Sequence, residues 1–172
     1  MQVTIEKHTL TEEEITELIS SIKTAPDLAF VDRKNWKRYP NPYCVFADKE
    51  FAGVCCTSET KHWVKIGPLV TLSKFQGKGL GKLLFNTVVA KQTKSLCVMS
   101  SCPILQHLTD SAGFTEAPNV FALPNEVQRL LIRQLANYLS IPYLLEALRK
   151  KLILKRGKVR VFTNLKQSRI HR

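Results

Sequence analysis

Seven consecutive residues, Gln76-Gly77-Lys78-Gly79-Leu80-Gly81-Lys82, hold the densest chemistry in the chain. They follow the apolar, β-branched run around Leu69, Val70 and Thr71 and precede a helical pattern with Leu83, Leu84 and Val88 on one face. A strand that turns through glycines into a helix leaves backbone N–H groups unpaired at the positive end of the helix dipole, which makes an anion site. A side chain in place of glycine would hold a phosphate away from that backbone. Lys78 and Lys82 add positive charge. The chemistry expected here is the binding of a phosphorylated ligand.

Spacing narrows the kind of phosphate loop. The dinucleotide pattern G-x-G-x-x-G fails because Lys82 stands where the third glycine belongs. The triphosphate loop G-x-x-x-x-G-K-[ST] fails because Leu83 offers no hydroxyl and Gln76 replaces the first glycine. What fits is Q-x-x-G-x-G, Gln76 through Gly79 to Gly81, directly after a strand. This resembles the pyrophosphate-binding signature of the GNAT superfamily of N-acetyltransferases, and Ile66-Gly67-Pro68-Leu69-Val70 is similar to the strand that leads into it. Gly113-Phe114 after a short helix also looks like the Gly-Phe that closes that helix in the superfamily.

The resemblance covers residues 1–123 and implies an acetyl-CoA-dependent N-acetyltransferase with an amine acceptor. It assigns the cofactor to Leu69, Val70, Thr71, Gln76, Gly77, Lys78, Gly79, Leu80, Gly81 and Lys82. The pantetheine arm would lie along Leu69 to Thr71, where this strand and the one at 95–100 splay apart, so that a backbone N–H polarises the thioester carbonyl. An amine acceptor with the ordinary lysine pKa of ~10.4 must lose a proton before it attacks, and the thiolate must gain one on leaving. Here the chain departs from the family. Thr109 occupies the place of the tyrosine that often serves as leaving-group acid, Lys65 that of a glutamate base, and Ser101 and Cys102 that of a common asparagine. The remaining catalytic candidates are Glu59, His62 and His107, each of which can also be read as a solvated surface residue.

Positioning these residues calls for an α/β (α+β) fold, a mixed, mostly antiparallel sheet flanked by helices. Gln2 to Lys7 alternates as a first strand, and Thr11 with Glu14 forms a capping box that opens a helix to about Lys23. Residues 24–42 read as a loop with a short helix, a region that shapes the acceptor pocket in the superfamily. Residues 43–47 and 51–58 read as a hairpin turning at Asp48-Lys49-Glu50, followed by a strand at 62–72. A helix from Gly77 to about Lys91, a strand at 95–100, a helix at 103–111 and a strand at 114–123 complete the core. Beyond it, Asn125 can cap a helix with Val127, Leu130, Leu131, Leu135 and Leu139 inward. A second helix carries Leu144, Leu145, Leu148 and Leu152 on one face. Lys151 to Phe162 alternates around Arg156-Gly157 as a hairpin. Residues 124–172 are thus a basic helical extension. Either it returns a last strand at 158–163 beside 114–123, or it stands as an independent appendage.

Composition bounds the partners. No apolar run approaches the ~20 residues of a membrane span, and MQVTIEKH lacks a signal-peptide layout, so a cytoplasmic protein is expected. Cys44, Cys55, Cys56, Cys97 and Cys102 form an odd set without a C-x-x-C pair and read as reduced, buried thiols. Their spacings to His62 and His107 match no standard zinc pattern, so no metal is expected. Of the net charge of +12, the segment from Asn125 onward carries twelve Lys or Arg against two acids, which leaves the body almost neutral. That asymmetry points to a polyanion, RNA or ribosome, reached through Arg149, Lys150, Lys151, Lys155, Arg156, Lys158 and Arg160. The other readings of the tail are a helix on an anionic membrane and a solvated face whose leucines pack on the core. For the whole chain, the alternative to an enzyme is an inactive acetyl-CoA-binding module or an RNA-binding interaction protein.

Overall fold

Thr11 accepts from the Glu14 N–H at 3.2 Å and the Glu14 carboxylate accepts from the Thr11 N–H at 2.7 Å, so the first helix starts on the capping box its sequence specifies. The computed structural model describes residues 1–138, 141–152 and 157–165, with backbone alone at 135–138. In chain order the elements are β1 (Val3–Lys7), α1 (Glu12–Thr24), α2 (Arg33–Trp36), β2 (Tyr43–Ala47), β3 (Glu50–Glu59) and β4 (Trp63–Thr71). They continue with α3 (Leu80–Ala90), β5 (Ser95–Ser100), α4 (Pro103–Ser111), β6 (Thr115–Glu116), α5 (Asn125–Tyr138), α6 (Ile141–Leu152) and β7 (Arg160–Asn164).

Among the described residues seven strands form one sheet in the order β1-β2-β3-β4-β5-β7-β6. Every pairing is antiparallel except β4 with β5. This is the mixed, mostly antiparallel sheet flanked by helices that the sequence implies. The β2–β3 turn is two residues, Asp48 and Lys49, both at positive φ (50° and 70°), which suits the twist of a tight hairpin. Strand alternation splits β4 between two layers. Val64 and Ile66 join the main core with Leu84, Phe85, Val88 and Phe162. Trp63 faces a second cluster with Cys97, Val161 and, from α5, Val127 and Leu131.

Several local expectations change. The helix after the glycines begins at Leu80 rather than Gly77, because Gly77 and Gly79 both take positive φ, outside the helical region, and Gly79 becomes the N-cap. Leu83 points to solvent while Leu80, Leu84, Phe85 and Val88 are buried, the stripe that 3.6-residue periodicity selects. The strand expected at 114–123 is only Thr115–Glu116, since Pro118 has no N–H to continue a ladder and Asn119 caps a 3-10 turn at Val120–Ala122. Asn125 lies inside α5 rather than capping it, and the Pro124 carbonyl accepts the first helical bonds. Lys151 and Leu152 belong to α6 rather than to the first arm of a hairpin, and the part of that expectation at 153–156, Arg156 included, falls outside the described residues.

The largest change concerns α6. Its leucines do not pack on the core: Leu144, Leu145, Leu148 and Leu152 are each more than half exposed. The face turned inward carries Lys150, 1 % exposed, whose ammonium donates to the carbonyls of Ala25 and Leu28 (both 2.7 Å) and of Ile22. Arg149 donates to the Lys23 carbonyl and pairs with Glu146 at 2.8 Å. Two cations therefore cap the C-terminal end of α1, where carbonyls are orphaned and the helix dipole is negative. Lys150 and Arg149 are docking residues, not free charges for a polyanion.

Candidate active site

The parallel ladder of β4 on β5 runs Trp63↔Ser95, Val64↔Leu96, Lys65↔Cys97, Ile66↔Val98 and stops. Pro68 follows and brings no N–H to the ladder. On the other edge, Cys55 opposes Leu69 and Thr57 opposes Ile66, so β4 bulges at Gly67-Pro68 against β3. On its other edge β5 pairs with β7 along its whole length, from Leu96↔Asn164 to Ser100↔Arg160, so past Val98 only that edge stays laddered. The strands part where the sequence places the thioester.

A cavity of about 380 Å³ opens at the parting. Lys65 and Gly67 to Val70 line it from β4, Met99 and Ser100 from β5, and Asp27 to Ala29 from the loop after α1. Leu131, Ile132 and Gln134 of α5, Tyr143 of α6 and Val159 close it on the remaining side. The basic segment thus supplies a wall of this cavity.

From the cavity, β4 leads into the glycine loop. Gly77 and Gly79 both stand at φ 76°, the left-handed region that costs any other L residue strain. A Cβ built on Gly79 meets nothing within 4 Å, so the loop faces open space. Gly81 is glycine for another reason: a Cβ there would stand 3.0 Å from Thr71 Oγ1. Gly79 caps α3 without a side-chain bond, and the first turn of α3 holds no acidic residue. The N–H groups of Leu80, Gly81 and Lys82 therefore have no intrahelical acceptor and face outward at the positive helix end. Gln76 braces the turn by donating to the Thr71 carbonyl at 3.4 Å, and the Lys78 ammonium sits 5.0 Å from the Phe75 ring.

A family comparison decides what this frame is. The model of the acetyltransferase (GNAT) family matches residues 8–107, strand β4 and the glycine loop included. The chain belongs to the acetyltransferase (GNAT) family. That family is one of acetyltransferases. Solved GNAT structures share the fold at low identity. N-acetylglutamate synthase from Neisseria gonorrhoeae, solved with coenzyme A and N-acetyl-glutamate, is 14% identical with a TM-score of 0.67. The alignment covers 98% of this chain but 36% of that one, so this chain spans about a third of that synthase. The ribosomal-protein-S18-alanine N-acetyltransferase from Escherichia coli is 15% identical, TM-score 0.59, over 95% of this chain and 94% of its own. A GNAT acetyltransferase from Elizabethkingia anophelis with acetyl-CoA bound is 20% identical, TM-score 0.54, over 67% and 77%. No curated protein sequence matches the chain.

The GNAT frame puts the candidate catalytic residues in separate places. His62 precedes β4, five residues before Gly67 and about 16 Å along the strand. Its Nδ1 lies 2.7 Å from Glu126 Oε1, and Thr60 donates to the same carboxylate at 2.8 Å. The His62 hydrogen bond and then that of Thr60 hold the Glu126 carboxyl down at about 2. This cluster ties α5 to the sheet. Glu59 bonds Lys94 at 2.9 Å and lines a neighbouring cavity with Arg38 and Arg133. His107 is exposed on α4, and Thr109 is buried with its hydroxyl donating to the Gln106 carbonyl at 2.6 Å. None of Glu59, His62 and His107 lines the cavity at the parting.

Two residues that do line it carry chemistry the sequence reading assigned elsewhere or not at all. Tyr143 brings a phenol from α6, out of a segment read for its leucines and its charge. Lys65, noted only as a departure, is 3 % exposed and donates to the Gly67 carbonyl at 3.5 Å. Desolvation lowers its pKa, offset in part by Cys97, Cys56 and Cys55. Burial pushes those thiols up, Cys97 to about 11 and Cys55 to about 12, so the offset is small beside the desolvation.

Proposed function

We propose that this chain transfers the acetyl group of acetyl-CoA to an amine acceptor. The pyrophosphate is held on the Gly77-to-Lys82 loop and the pantetheine along Leu69 to Thr71. The observation that carries this is the parting of β4 from β5 beside a cavity that continues into a glycine turn with outward N–H groups. Tyr143 takes the role of proton donor to the leaving thiolate, since the Thr109 hydroxyl is spent inside α4. Isothermal titration with acetyl-CoA, and thiol-reagent detection of CoA released with a panel of amines and peptides, test the reading. Absence of binding at millimolar acetyl-CoA refutes it. Tyr143→Phe should lower turnover roughly tenfold or more without changing CoA affinity, as loss of a general acid does.

The acceptor is proposed to be macromolecular, held by the exposed basic residues Arg129, Arg133, Lys151 and Lys158. The structural kinship with an enzyme named for ribosomal protein S18 supports that direction. A second reading, a binding module without turnover, is favoured by Thr109 and Lys65 standing where the family's acid and base would be. CoA release with any acceptor rejects it.

A further inference from the structure

Lys65 is a buried amine facing a donor site, and its surroundings leave it reactive. It sits on the last turn of the ladder before β4 and β5 part, on the layer covered by α5. Leu131 and Gly67 share its cavity wall, and at 3 % exposure the Nζ is shielded from bulk water. Among the described residues the ionisable groups acting on it are the thiols of Cys97, Cys56 and Cys55, and its ammonium donates one long hydrogen bond, to the Gly67 carbonyl. A buried lysine usually keeps its charge through a carboxylate partner; without one, desolvation favours the free amine. A free amine is a nucleophile, and lysines are activated in this way in apolar pockets.

We propose that Lys65 is itself an acetyl acceptor: its Nζ takes the acetyl group from acetyl-CoA bound at the parting of β4 and β5. The Nζ lone pair attacks the thioester carbonyl carbon, the C–N bond forms and the C–S bond breaks. CoA leaves as a thiolate and takes up the proton that Nζ loses, giving acetyl-lysine and CoA. The amide formed is not an acyl donor, so the step occurs once per chain and is not an intermediate on the way to another amine. It leaves a neutral group in the cavity where an amine stood.

The inference rests on the proposed acetyl-CoA site, and the two fail differently. The full chain is incubated with acetyl-CoA, with and without excess CoA, and acetylation is mapped by peptide mass spectrometry. One acetyl group on Lys65 is expected, blocked by CoA. Its rate at neutral pH should exceed that of exposed Lys49 or Lys158 severalfold, because it stands in the wall of the donor cavity and burial raises its fraction of free amine. Lys65→Met should fold, since the side chain is similar in shape, one atom shorter and has no charge to bury, and it should lose that modification. Acetyl-CoA binding by titration with no acetyl on Lys65, or acetylation spread evenly over lysines and persisting in urea, overturns the inference and leaves the donor site standing. Absence of acetyl-CoA binding overturns both. Should Lys65→Met not fold, the map of the unmodified sequence with its CoA block still decides.

Discussion

Gly79 joins two requirements that one substitution cannot satisfy together, a left-handed backbone and an open approach to the helix end. Gly79→Ala should lose about 1–2 kcal/mol of stability from its φ alone, and some acetyl-CoA affinity besides. Gly79→Asn separates the effects, because Asn tolerates the left-handed region yet projects a side chain into the ligand's space. Denaturant midpoints near those of the wild type, with acetyl-CoA binding lost in titration, are the expected outcome. Unchanged binding would remove the loop from the pyrophosphate site. The loop was legible in the sequence because its function lies in backbone and spacing. Tyr143 was not, for it reaches the cavity from a helix more than seventy residues beyond β4. Lys65 was legible as a departure from the family, but its burial depends on α5, whose docking no local pattern reveals. Glu126 shows the same dependence on tertiary placement. Its folded pKa of about 2 lies below the ordinary 4.5, so its contribution is present above pH 4.5 and is lost as pH falls through about 2. In urea titrations between pH 7 and pH 2, the wild type should lose more stability than Glu126→Gln. Equal losses would mean that the His62 and Thr60 bonds do not act on this carboxyl in solution.

At the scale of elements, periodicity identified the helices and most strands, while their facing and ends came from interactions outside each segment. A leucine stripe on α6 states only that one face is apolar. The opposite face is the one that docks, because Lys150 donates to the Ile22 carbonyl at the end of α1 and to those of Ala25 and Leu28 just beyond it. The same kind of limit shortened β6, where Pro118 ends a ladder that apolar residues on either side suggested. Replacing Lys150 by Met keeps the buried stem and removes the donors. It should cost about 2–3 kcal/mol, the scale of hydrogen bonds to a charged group. Leu145→Gln on the outer face should stay within about 0.5 kcal/mol, as exposed substitutions do. Chemical denaturation of both variants checks the orientation of α6. The opposite ranking would mean that the leucines face inward.

For the whole molecule, the imbalance between a near-neutral body and a strongly basic C-terminal quarter survives the structure, but in a reduced form. Lys150 and Arg149 are spent on α1, and Arg160 pairs with Glu116 at 3.3 Å. Arg129, Arg133, Lys151 and Lys158 are exposed, and none of them takes part in an ion pair among the described residues. Lys155 and Arg156 fall outside those residues. A polyanion contact should therefore depend on the four exposed cations and be indifferent to Lys150 except through folding. If the contact is with single-stranded RNA, affinity should fall with salt at a log–log slope of about −0.7 per phosphate neutralised. The quadruple charge reversal at 129, 133, 151 and 158 should flatten that slope by about two to three while acetyl-CoA affinity stays as it was, because none of the four lines the cavity at the parting or belongs to the glycine loop. Retention on heparin or RNA that is insensitive to salt, or a slope unchanged by the reversal, would assign these cations to solvation, and the acceptor would then have to be recognised inside the cavity walls.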